Sequence, residues 1–182
     1  MKNIITITTL LFTGLTGVLN AQVAIGDATG TASVKTSVLL DFAAGQNKGI
    51  ILPYVRTLPA APAEGTLVLD ASDATKARIK YYNGSWIDLS GQDADISAVM
   101  TTQPTAAQAP EPANAKTVIG AASSAANGVL VLESTTKSMV LPIVQDVQNI
   151  PSPSPGMMVY INKSGAKRLA VYNGSKWSYW RP

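Results

Sequence analysis

The chain has 182 residues, with 14 Lys or Arg against 11 Asp or Glu, a net charge of +3, and only 14% of its residues charged. It contains no cysteine and no histidine, which excludes a disulfide framework, an iron–sulfur site, a thiol nucleophile and any Ser-His-Asp or Cys-His arrangement, and removes the commonest zinc ligands. Basic residues are too scattered for a nucleic-acid face: the longest cluster is Lys167-Arg168, and Lys76, Arg78 and Lys80 are spaced along one expected strand.

The N-terminus carries one positive charge at Lys2, then an apolar stretch from Ile4 to Leu19, then Ala21 at a scissile position. This is the tripartite pattern of a secretory signal peptide, with cleavage expected between Ala21 and Gln22. The stretch is shorter than the roughly 20 residues needed to span a bilayer, and its threonines dilute it. No later stretch is long and apolar enough for a membrane helix, so none is expected after cleavage. The expected location is the extracellular space, the cell surface or the periplasm.

The remainder divides into two similar halves. Ile25-Gly26 answers Ile119-Gly120, and Val38-Leu39-Leu40-Asp41 answers Leu130-Val131-Leu132-Glu133. Lys48-Gly49-Ile50-Ile51-Leu52-Pro53 matches Lys137-Ser138-Met139-Val140-Leu141-Pro142 without a gap. Gly65-Thr66-Leu67-Val68-Leu69 matches Gly156-Met157-Met158-Val159-Tyr160, and Tyr82-Asn83-Gly84-Ser85-Trp86 answers Tyr172-Asn173-Gly174-Ser175-Lys176-Trp177. Five blocks in one order at similar spacings predict an all-β chain built from two diverged copies of a small strand and hairpin module. The expected organisation is a signal peptide over 1–21, a first module over 22–90, an Ala/Pro/Thr-rich linker over 91–116 and a second module over 117–182.

Within the first module the short apolar runs Val38–Phe42, Ile50–Val55 and Leu67–Asp70 have the length and flanks of buried strands. Pro53 and Pro142 each close a run, where a missing donor costs least. Asn83-Gly84 predicts a type I′ turn, which would pair Tyr81 with Trp86; the extra Lys176 would pair Val171 with Trp177 in the second module. The linker is expected to be flexible or partly extended, with few buried residues and a short helix around Asp95–Thr101.

The succession Ile-Gly, Val-Leu-Leu-Asp, Lys-Gly-Ile-Ile-Leu-Pro, Gly-Thr-Leu-Val-Leu and Tyr-Tyr-Asn-Gly-Ser-Trp resembles a module of secreted surface proteins of Bacteroidetes-type bacteria, some of them similar to tail-fibre or adhesin stalks. The resemblance covers nearly all of Val23–Leu89 and, more loosely, Thr117–Trp180. It implies a structural role at the cell surface and offers no catalytic residues.

The candidate contact residues are aromatic: Tyr82, Trp86, Trp177, Tyr179 and Trp180. Flat aromatic faces suit pyranose rings, yet cross-strand packing explains them more simply, since a module of about 65 residues has little core. The groups Asp70/Asp73 and Asp93/Asp95 alternate as calcium ligands do, but they lack the glycine and terminal glutamate of an EF-hand loop and fit turn and cap positions better. Paired carboxylates can hydrolyse glycosides, but no acid pair here has supporting polar neighbours. The expectation is therefore a non-enzymatic structural or adhesive protein without catalytic, metal or cofactor-binding residues. Its expected partner is itself or another surface protein; the alternative is a carbohydrate-binding module protein that holds polysaccharide through the exposed Tyr and Trp.

Overall fold

A computed structural model describes residues 22–27, 29–112 and 115–180; the expected signal peptide lies outside these residues. The fold is all-β. The first half carries β1 (Val23–Ile25), β2 (Val38–Phe42), β3 (Ile50–Ile51), β4 (Tyr54–Val55), β5 (Leu67–Asp70), β6 (Arg78–Tyr82) and β7 (Trp86–Asp88). A single helical turn, α1 (Ser97–Met100), follows. The second half carries β8 (Thr117–Ile119), β9 (Leu130–Leu132), β10 (Ser138–Met139), β11 (Ile143–Val144), β12 (Met157–Ile161), β13 (Arg168–Tyr172) and β14 (Trp177–Trp180), with a 3-10 turn at Val147–Asn149.

The second seven strands repeat the pairing of the first seven. β1 lies parallel to β2 as β8 does to β9, β4 lies parallel to β5 as β11 does to β12, and β5–β6–β7 and β12–β13–β14 are antiparallel meanders. Even the register recurs, for Tyr54 opposes Leu69 and Ile143 opposes Tyr160.

The apolar run expected as one strand over Ile50–Val55 is broken at Leu52-Pro53. Proline has no N–H for a ladder, so the chain leaves one sheet there and enters another. β3 pairs with β12 of the second half, whereas β4 pairs with β5 of its own. Leu141-Pro142 makes the same break between β10 and β11.

Both hairpins differ from the expected registers. Tyr82 opposes Trp86 around the three-residue loop Asn83–Ser85, and Tyr172 opposes Trp177 around the four-residue loop Asn173–Lys176. Gly84 alone has positive φ in the first loop (70°), so the type I′ turn is absent. The physical reason lies in the strands. The observed register keeps Leu67, Leu69, Ile79, Tyr81 and Ile87 on one face and Asp70, Arg78, Lys80 and Asp88 on the other. A slip of one residue would carry Asp88 toward the apolar side.

One core joins the halves. Leu52, Leu69 and Ile79 from the first half pack with Met158 and Val171 from the second, and Ala94, Ile96 and Met100 from the intervening segment complete it. That segment was expected to be linker with few buried residues. Its first part is instead built into the core: Ala94 bridges to Ala77, and α1 buries Met100 at the expected helix position. The following residues 101–112 are largely exposed. A second core, on the opposite face of the β12–β13 pair, gathers Val144, Val147, Ile150, Met157, Val159, Ile161 and Ala170. No helix among the described residues is long and apolar enough to cross a membrane.

Candidate assembly interface

Beside the shared core, one half meets the other along three seams, two of backbone strand pairing and one of side-chain hydrogen bonds. Along the first seam, β10 lies parallel to β2, with Ser138 N–H donating to Ser37 O at 2.8 Å and Val140 N–H to Leu40 O at 2.8 Å. β2 thereby has partners on both edges, which accounts for its nearly continuous apolar run, four of whose five residues are buried.

Along the second seam β3 lies antiparallel to β12, with Ile50 opposite Met158 and Ile51 opposite Met157, and Leu52 N–H donates to Gly156 O at 3.0 Å. Gly49 makes this approach feasible. A Cβ at that position would lie 2.5 Å from Met157 Cγ and 2.9 Å from Met158 O. Tyr54 adds a side-chain tie, its hydroxyl donating to Pro155 O at 2.6 Å.

The third seam sets β14 against the segment that leaves β7. Trp180 Nε1–H donates to Leu89 O at 2.8 Å, Ser178 Oγ–H to Ser90 O, and Asn173 Nδ2–H to Gln92 O at 2.8 Å. Asn173 is wholly buried and also accepts from Ser175 N–H and Lys176 N–H, so it both closes its own turn and ties it to the first half. Sequence reasoning assigned this asparagine only to its turn; no local pattern distinguishes it from Asn83, which is exposed.

The five aromatic candidates separate. Tyr82 and Trp86 form an edge-to-face pair with centroids 5.3 Å apart, and Tyr172 and Trp177 a tilted pair at 5.2 Å. These are cross-strand neighbours of the kind that stabilises a small sheet. Tyr179 carries the Arg168 guanidinium 4.4 Å above its ring, a cation–π contact. Trp180 takes part in the third seam, although it and Tyr179 keep 47% and 45% of their surface exposed. The structure brings Trp177, Tyr179 and Trp180 together on β14 and leaves Tyr82 and Trp86 on the other hairpin.

A buried charge lies beside the first seam. Asp41, on β2, accepts from Thr31 Oγ1, Ala32 N–H and Lys35 Nζ at 2.9, 2.9 and 2.6 Å. Burial opposes its ionisation, but the Lys35 ammonium and the donors from Ala32, Phe42 and Thr31 outweigh it and hold the carboxyl well below the usual range. Gly30 must remain glycine beside it, since a Cβ there would fall 2.4 Å from Asp41 Oδ2. Asp41 was matched with Glu133 on sequence. The strand registers correct this: Ala43 N–H bonds Ile25 O as Glu133 N–H bonds Ile119 O, so Asp41 answers Val131.

Of the acidic residues weighed for calcium, three serve turns and one an ion pair. Asp70, Asp73 and Asp95 accept from the backbone N–H two residues on, at 3.0, 2.9 and 2.9 Å, and Asp93 pairs with Arg78 at 2.7 Å. No cluster of metal-binding residues occurs among the described residues.

Residues 118–181 match the family Phage tail like trimerisation region, a span that runs from β8 through β14. No curated protein matches the chain. No solved structure matches it either.

Proposed function

We propose that this chain is an exported, non-catalytic structural protein that assembles with copies of itself, as a trimeric, tail-fibre-like component of a cell-surface or extracellular structure. The observation that carries the reading is the exchange of strands between the halves. A chain whose sheets are completed by β10 crossing to β2 and β3 crossing to β12 presents interfaces that a separate copy can form equally well. The similarity of residues 118–181 to a phage tail-like trimerisation region supports three as the number of chains. Export rests on the Ile4–Leu19 stretch and Ala21. The absence of cysteine and histidine supports a role without catalysis.

The test is the mass in solution of the chain from Gln22 onward, by light scattering coupled to size-exclusion chromatography. The expected result is three chain masses at micromolar concentration. A single chain mass across the concentration range would overturn the reading.

A further inference from the structure

The two halves are joined by a strand-sharing rule that leaves complementary strand edges without partners. β10 pairs on one side with β2, the second strand of the other half, and β3 pairs on one side with β12, the fifth strand of the other half. No described residue pairs with the other side of β3, the other side of β10, the outer side of β9, or the part of β5 ahead of its pairing with β4. These edges match one another. If the first half of a second chain follows the second half of this one as the second half follows the first, β9 receives the second chain's β3. In the same step β10 receives the second chain's β5.

Three observations show that those edges are equipped for such a partner. The first is an open apolar cleft of about 320 Å³ beside β10, lined by Met139, Val140, Leu141, Ile143 and Tyr160. Its counterparts in the first half are Ile50, Ile51, Leu52, Tyr54 and Leu69, and there the place is filled: Leu52 and Leu69 are buried in one core with Met158 of β12. The second is a pair of equivalent glycines. A Cβ on Gly156 would lie 3.3 Å from Leu52 O and from the Tyr54 ring, whereas one on Gly65 would meet nothing within 4 Å. The third is exposed apolar surface at the vacant edges, with Ile51 51%, Val129 64% and Leu130 48% exposed. A monomer with bare strand edges carrying such residues invites pairing.

We propose that the first half of a second copy of this chain docks on the second half, head to tail, reusing both internal strand pairings: β3 of the second copy against β9, and β5 of the second copy against β10. Leu67 of the second copy then opposes Met139, as Met158 opposes Ile50 within the chain, and enters the cleft. A heterologous contact of this kind closes into a ring or runs on as a filament, according to the rotation at each step. The inference rests on the self-assembly reading and adds to it the surface and the polarity.

The experiment uses the absence of native cysteine. The chain from Gln22 onward is made as Leu67→Cys, as Met139→Cys and as the double variant, each checked for unchanged β content by circular dichroism and treated with a short thiol cross-linker. Covalent multimers in the double variant, with neither single variant linking to itself, are the expected result. Self-linking of a single variant, or a double variant that stays at one chain mass, overturns the head-to-tail contact. Leu130→Lys tests the other edge at a residue outside both cores: it should reduce the assembled mass at least tenfold more readily on dilution, and an unchanged mass counts against the proposal. If the unmodified chain assembles yet no 67–139 link forms, only this contact fails; a chain of single mass removes the assembly reading as well.

Discussion

Asp41 is the residue whose environment is least like that of an ordinary surface acid. Its side chain is 3% exposed, and among the described residues the cation paired with it is Lys35, itself 32% exposed. A buried carboxylate held below its unfolded value of about 3.9 contributes stability above that pH and loses it as pH falls toward the folded value. Asp70 and Asp88 are also held low, with burial opposing and Lys80, Arg78, Ser72 and Ser90 favouring the charge. Stability should therefore fall steadily on acidification below about pH 4. Asp41→Asn should cost about 2 kcal/mol at pH 7, because four donors, from Thr31, Ala32, Lys35 and Phe42, lose a charged acceptor, and should flatten the acid limb of the curve. Urea unfolding between pH 7 and pH 2.5 checks both; a variant curve parallel to that of the parent would show that Asp41 ionisation carries no stability. Nothing in the sequence around Val38–Phe42 marks this aspartate as buried, since an acid near a strand end is most often a turn residue.

At the scale of elements, the two hairpins show how one motif acquires different surroundings. Gly84 and Gly174 occupy matching places with φ of 70° and 112°. A Cβ on Gly84 meets nothing within 4 Å, so Gly84→Ala should cost only the backbone strain, about 1 kcal/mol. A Cβ on Gly174 would lie 2.6 Å from Ile96 Cγ2 and 3.0 Å from Pro155 Cγ. Gly174→Ala should therefore cost about 2–3 kcal/mol, adding displacement of packed atoms to the strain. Thermal unfolding of the two variants compares them directly, and equal losses would place Ile96 elsewhere. The strand positions themselves were legible: Val38–Phe42 and Leu67–Asp70 match the observed β2 and β5 to the residue. The hairpin registers were not, because Asn-Gly fixes a preference only for the isolated turn. The separation of Leu67, Leu69, Ile79, Tyr81 and Ile87 from the charged face outweighs it.

At the scale of the whole molecule, the shared core decides whether either half can stand alone. Residues 22–90 would lose Met158 and Val171 from above Leu69 and Ile79, together with Ala94, Ile96 and Met100. At about 1.5–3 kcal/mol for each large buried side chain, the loss from Met158 and Val171 alone is roughly 3–6 kcal/mol. That is comparable with the whole stability of a small domain, about 5–15 kcal/mol. The isolated fragment should therefore be unfolded, or folded only by associating with itself, as urea unfolding and solution mass together will show. A monomeric fragment as stable as the longer chain would mean that the halves are independent.

The amino-acid sequence by itself determined the fold class, the position of most strands and their repetition, because each depends on local patterns: short apolar runs, proline at their ends, and blocks that recur in order. It also determined which chemistry is unavailable, since a missing residue type is missing in every conformation. Tertiary structure alone decided that the halves exchange β3 and β10, that Ala94, Ile96 and Met100 belong to a core, and that Asp41 and Asn173 are buried while Glu133 and Asn83 are exposed. The reason is physical. A strand's hydrogen bonds are the same whichever edge receives them, so short apolar runs specify that pairing will occur but not with whom. The choice falls to contacts far apart in the chain, such as Gly49 lying flat against Met157 and Met158.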